Sequence, residues 1–181
     1  MGFEFLSTNI TGLYLVNNLI FHDSRGFFIK TFHFEKFKEK GIDFVPKESY
    51  FSVSHKDVIR GMHFQIPPFE HYKMTTVIKG EILDVVLDLR KNSTTFGNYF
   101  KVMMTDSHLQ TILIPPGCAH GFLSLQNESI ISYSTTTTYS PEHDLGIHFN
   151  SFGFEWPVKE PILSSRDQSF PRFNDFNTPF V

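Results

Sequence analysis

Cysteine is nearly absent from this 181-residue chain. Cys118 stands alone, so no intrachain disulfide can form and no thiolate cluster can hold a metal. That fits a reducing compartment, and a cytoplasmic protein is expected. An excess of one charge is lacking too: the net charge of -3 at pH 7 gives no electrostatic reason to expect a nucleic-acid partner. No apolar run approaches the roughly 20 residues that span a bilayer. The start, Met1-Gly2-Phe3-Glu4-Phe5, carries an early acid and no basic leader, so no membrane association is expected. Neither a GxGxxG fingerprint nor a P-loop occurs, so the usual dinucleotide and triphosphate signatures are missing. Repeats, low-complexity tracts and linkers are also missing, and the length fits a single domain over 1–181.

What is abundant is apolar and aromatic. Hydrophobic residues make up 40% of the chain, enough for a sizeable core, and 22 phenylalanines favour strands, a ring-filled core or a stacking surface. The best helical pattern is short, residues 33–41, and Gly41 stops it. Strand signals dominate the rest. In 82–89, Leu83, Val85, Leu87 and Leu89 share one face and Ile82, Asp84, Val86 and Asp88 the other. Gly80 turns this strand back from Thr76-Val77-Ile78. Further strands are expected at 12–16, 26–32, 99–104, 110–114, 121–125 and 128–137. Many short strands with turn punctuation indicate an all-β sandwich or small barrel, and a small barrel holds one ligand in its mouth.

Two histidines lie in telling contexts. In the strand-like run Arg60-Gly61-Met62-His63-Phe64-Gln65, alternation puts His63 and Gln65 on one face, with Arg60 near the end. Such polar groups are costly to bury without partners, and a polar pocket would explain them. A hydrogen-bonded structural histidine would as well. His120 follows Pro115-Pro116-Gly117, a turn that can aim it inward. Tyr133 can donate a proton and Lys73 can stabilise an oxyanion, although each alone reads equally as a wall residue. Asp167 reads locally as a turn acid, and nothing near it in sequence ties it to His63.

These motifs are ordered as in a known family. Phe21-His22-Asp23-Ser24-Arg25-Gly26-Phe27-Phe28, Arg60 to Gln65, Gly80 to Arg90, Ser93-Thr94-Thr95-Phe96-Gly97 and Ile114 to Gly117 with His120-Gly121-Phe122 come first. Tyr133 to Pro141, Gly146-Ile147, Trp156-Pro157 and Leu163 to Asp167 follow. From about Leu13 to Pro171 the chain resembles the dTDP-4-dehydrorhamnose 3,5-epimerases, sugar-nucleotide epimerases of the cupin superfamily. The resemblance implies a cupin-type antiparallel β-barrel or jelly roll with a few short helices. It implies inversion of C3, C5 or both in a nucleotide-linked 4-keto-6-deoxy sugar, without a cofactor, in a homodimer whose N-terminal segment crosses to the partner.

It also implies roles. His63 would be the general base, with Asp167 its partner across the barrel. Lys73 would stabilise the enolate oxygen, and Tyr133 would deliver a proton from the opposite face. Arg25, Arg60 and His120 would help bind substrate, the arginines near phosphate, and Tyr139 would lie near the nucleotide. Lys30, Glu48, Tyr50, Gln65, Asp144 and Arg166 complete the binding shell. Metal-binding cupins carry His-x-His where this chain has His63-Phe64-Gln65, and a neutral amide is a weak ligand, so no metal is expected.

The chain departs from the family pattern at Lys30, Glu48 and Tyr50, with milder swaps at Asp144 and Arg166. The first three predict a substrate preference shifted away from the dTDP sugar, since an acid in place of an amide loses a donor and adds a charge. Two other readings stand beside the epimerase. A 3,4-ketoisomerase also needs a histidine base, but its product shows no inverted centre. A carbohydrate-binding cupin would exchange no substrate proton.

Overall fold

A computed structural model describes residues 2–181. Thirteen strands form two sheets and a separate hairpin: β1 (Glu4–Ser7), β2 (Tyr14–Asn17), β3 (Leu19–Asp23), β4 (Gly26–Lys30), β5 (Glu48–Ser54), β6 (Ile59–Gln65), β7 (Lys73–Lys79), β8 (Glu81–Asp88), β9 (Tyr99–Thr105), β10 (Gln110–Ile114), β11 (Cys118–Ser124), β12 (Ser129–Thr135) and β13 (Asp144–Gly146). Helices are two, α1 (Phe34–Glu39) and α2 (Ser165–Gln168), with one 3-10 turn at Phe173–Asp175. One sheet runs β1-β2-β10-β7-β12-β5, the other β13-β6-β11-β8-β9, and β3 pairs with β4 alone. Every ladder between these strands is antiparallel. This is the all-β cupin-type barrel that the sequence implied. No helix of the described residues is long and apolar enough to cross a membrane.

The alternation of β8 decides the layering. Ile82 and Val86 face inward and meet Cys118 and Phe122 of the same sheet and Val77, Ile112 and Ile131 of the other. Leu83, Val85, Leu87 and Leu89 face outward and are covered by Ile147, Phe152, Phe154, Trp156 and Phe180 from the C-terminal segment. The outer face of the six-stranded sheet is closed by Phe37 of α1 with Ile42 and Phe44. Burying each large side chain in these layers stabilises by about 1.5–3 kcal/mol relative to exposure. The helix is thus less superficial than its charges suggest, because Phe37 is fully buried.

Four strands lie outside the expected set: β1, β3, β5 and β13. In β5, Tyr50, Ser52 and Ser54 are the inward set and Phe51 and Val53 face out, the reverse of a hydrophobic-in pattern. Periodicity alone therefore misreads it.

Candidate active site

A cleft of about 290 Å³ opens between the two sheets. β6 brings His63 to it, β7 brings Lys73, β5 brings Glu48 and Tyr50, and the segment after β12 brings Tyr139 and Asp144. A second cavity of about 350 Å³ is lined by Arg60, Arg166 and Asp167, and His63 lines it as well. The imidazole therefore stands where the two meet.

The His63 Nε2 is 2.9 Å from Asp167 Oδ1. A carboxylate can only accept, so the proton of neutral His63 sits on Nε2 and Nδ1 keeps its lone pair. Asp167 is buried, and its second oxygen accepts the Gly61 backbone N–H at 3.1 Å. Burial opposes the charged form, but the hydrogen bonds from His63 and Gly61 outweigh it and hold the carboxyl below the usual range. The carboxylate does not come from across the barrel, as expected, but from α2 packed against β6 itself. Ser164 caps that helix by accepting the Asp167 N–H, which fixes the acid's position. Behind His63 the Phe170 ring packs in a T-shaped arrangement, ring centroids 5.6 Å apart, in space that only a glycine at 146 leaves open. A Cβ on Gly61 would stand 2.5 Å from Gly121 Cα, so the close approach of β6 and β11 requires glycine.

His120 pairs with His63 across β6 and β11, yet it lines a smaller inner cavity below the cleft. Its Nε2 is 2.9 Å from Asp84 Oδ2, and both groups are buried. The sequence offered no role for Asp84. The signal was present, since an acid on the apolar inner face of β8 needs a partner. Lys73, near Asp144 and Asp84, is pushed down to about 8, chiefly by burial, and so remains mostly cationic at neutral pH. His71 is pushed down to about 3, by burial first and Lys73 second, and is neutral.

Gln65 lines the cleft but spends its amide on the wall. Its Nε2 donates to Phe69 O and Thr138 O, and its Oε1 accepts from Ser140 N. Glu48 accepts the Tyr139 backbone N–H at 2.6 Å. Arg166 pairs with Asp144 at 2.6 Å, and Arg60 donates to Ser54 Oγ and Val53 O. Arg25 and Lys30 lie on the β3–β4 hairpin and line neither cavity. Arg25 is held by Asp23 at 2.6 Å. Tyr133 is inside the barrel but is not part of the cleft lining; its hydroxyl is 3.2 Å from Ser52 Oγ, a neighbour the sequence did not single out. Burial raises the Tyr133 phenol, and Tyr50 is pushed up to about 12 by burial with Glu48 and Asp144 nearby, so both stay protonated at neutral pH.

The profile of the dTDP-4-dehydrorhamnose 3,5-epimerase family matches residues 7–175. The chain belongs to the dTDP-4-dehydrorhamnose 3,5-epimerase family. The epimerase is 38% identical over 173 residues to the dTDP-4-dehydrorhamnose 3,5-epimerase of Methanothermobacter thermautotrophicus, covering 93% of each chain. It superposes with a TM-score of 0.93 on a 3,5-epimerase from Legionella pneumophila solved in complex with dTDP-4-keto-L-rhamnose, at 31% identity over 99% of this chain and 98% of that one. A 3′-monoepimerase from Streptomyces bikiniensis in complex with dTDP-quinovose is also similar, with a TM-score of 0.86 and 30% identity over 91% and 85% of the two chains.

Proposed function

We propose that the chain acts as one domain over 1–181, with His63 as the base that removes a proton beside the ketone of a nucleotide-linked 4-keto-6-deoxy sugar. The observation that carries this is the carboxylate-bound imidazole at the junction of two cavities, with an ammonium on the facing sheet. Such a C–H is acidic because its electron pair moves to the C4 oxygen as an enolate. Nδ1 of His63 takes the proton, Asp167 stabilises the imidazolium, and Lys73 stabilises the enolate oxygen. Tyr133 returns a proton to the opposite face, which inverts the centre. The reaction is redox-neutral, so this chemistry calls for no electron-carrying cofactor.

The second cavity suits the diphosphate, since Arg60 and Arg166 present two guanidinium groups to it. His120 supports the floor through Asp84, and Tyr139 and Asp144 border the sugar. The ligands in the relatives' structures support a dTDP-linked sugar. Of the three departures, Glu48 and Tyr50 line the cleft, whereas Lys30 lies on the hairpin outside both cavities. Side-by-side turnover of dTDP-, GDP- and CDP-linked 4-keto-6-deoxy sugars reads out the choice.

The hairpin supports a homodimer. Phe21, Phe27 and Phe28 on it are 55%, 55% and 58% exposed, and Phe51 on the edge strand β5 is 70% exposed. Exposed rings of this density call for a partner surface, and a second copy carries Arg25 and Lys30 with it. A cytoplasmic site of action fits a substrate made from nucleotide precursors.

The test of the mechanism is exchange in heavy water. Wild type should wash deuterium into C3, C5 or both, and His63→Ala should lower that exchange by at least about 10³-fold. Tyr133→Phe should keep exchanging while losing most inversion. Exchange at the wild-type rate in His63→Ala would place the base elsewhere.

A further inference from the structure

The phenols that line the cleft, Tyr50 and Tyr139, do not include the one expected to deliver the proton. Tyr50 and Tyr133 sit directly opposite each other on the antiparallel strands β5 and β12. Their rings are stacked, with centroids 4.8 Å apart and planes 14° from parallel. Tyr50 lines the cleft and is 43% exposed, whereas Tyr133 is 7% exposed and does not line it. At its far end Tyr133 is fixed by Ser52. A sugar in the cleft would therefore touch the Tyr50 ring, whereas Tyr133 lies outside the cleft lining.

We infer that Tyr50 is a positioning residue that gates Tyr133 and so sets how often proton removal ends in inversion. The inference rests on the proposed reaction. After His63 has taken the proton, the enolate has two fates. The imidazolium can return a proton to the same face, which restores the original configuration and leaves only isotope exchange. Alternatively, the Tyr133 O–H bond breaks, its proton forms the new C–H bond on the opposite face, and after release the phenolate regains a proton from solvent while the His63 imidazolium gives one up to it. Only the second route requires the Tyr50 ring to move aside. Exposed side chains turn in picoseconds to nanoseconds, so the gate acts through its equilibrium position and not through a slow motion. A stacked aromatic pair is worth about two- to tenfold in such an equilibrium, which is enough to decide between one inverted centre and two.

The measured quantity is the ratio of inverted product to deuterium exchange, taken with a 4-keto-6-deoxy sugar nucleotide in heavy water. Tyr50→Ser, which removes the ring, should raise this ratio about two- to tenfold. Tyr50→Phe, which keeps the ring and loses the hydroxyl, should hold the wild-type ratio whatever it does to turnover. In a Tyr133→Phe background the gain from Tyr50→Ser should vanish, which a change in substrate binding alone would not produce. An unchanged ratio in Tyr50→Ser reduces Tyr50 to a cleft wall and overturns the gate. Loss of inversion with retained exchange in Tyr50→Phe makes Tyr50 the acid itself and overturns it as well. If wild type exchanges no deuterium with dTDP-, GDP- or CDP-linked sugars, the reaction assigned to the site falls first, and the gate with it.

Discussion

On the wall built by β6, β8 and β11, each inward imidazole is tied to a buried carboxylate: His63 to Asp167 and His120 to Asp84, both at 2.9 Å. The facing wall of β5, β7 and β12 has no such pairs. Lys73 forms no ion pair among the described residues, and Tyr50 and Tyr133 are held by each other and by one serine hydroxyl. A base must present one nitrogen in one tautomer, so each imidazole on its wall is held through Nε2 by a carboxylate. An acid and an oxyanion binder must respond to charge as it develops, and a looser wall permits that. The contrast predicts unequal costs: changes to the imidazole–carboxylate pairs should stop proton removal, and changes to the phenols of the facing wall should redirect the fate of the enolate.

The largest effect should come from Asp167→Asn. An amide can still hold the ring, but it cannot stabilise the imidazolium, and comparable exchanges in imidazole–carboxylate pairs cost up to about 10⁴-fold. Deuterium exchange and inversion should fall together by about 10²–10⁴-fold. A variant that lost inversion alone would erase the difference between the walls. Next is pH. The Lys73 cation is lost as pH rises through about 8, so kcat/KM should decline about tenfold per pH unit above that value. Lys73→Arg should push this alkaline limb upward, because guanidinium keeps its charge. A limb near pH 8 that persists in the variant would assign it to another group.

The walls also differ in how far the sequence can be read. The alternation at 82–89 correctly divides β8 between two cores, and Pro115-Pro116-Gly117 correctly precedes the strand carrying His120. Ordered motifs point to the family over nearly the same residues that its profile matches. Asp84 and Asp167 are opaque locally because their partners are 36 and 104 residues away. Strand β5 escapes the pattern because its apolar Phe51–Val53 face turns outward at a sheet edge. Tyr50 stands out in the sequence as a departure, but its stacking on Tyr133 depends on a cross-strand register between residues far apart in the chain.

Gly146→Ala tests the imidazole wall without touching a charged group. The added methyl would collide with the Phe170 ring, which in turn borders His63. Overpacking of this kind costs about 1–3 kcal/mol of stability. Thermal unfolding should show that loss, and deuterium exchange should fall about tenfold as the imidazole tilts from its carboxylate. Full exchange activity at reduced stability would mean that Phe170 packs the fold without aiming the base.

The smallest effect belongs to the phenol wall. The Ser52 hydroxyl lies 3.2 Å from the Tyr133 oxygen, long for a hydroxyl pair. In the proposed reaction, once the phenol turned its proton toward the sugar, Ser52 would become the donor and steady the phenolate that forms. Burial raises the Tyr133 phenol and the Ser52 bond partly offsets that rise, so removing the bond makes Tyr133 the weaker acid. A net hydrogen-bond contribution at the low end of the usual range corresponds to about two- to threefold. Ser52→Ala should therefore lower inversion by that factor, leave deuterium exchange at the wild-type rate, and act in the opposite direction to Tyr50→Ser. If exchange fell as much as inversion, Ser52 would support the whole cleft, and the division of labour between its walls would not hold at this position.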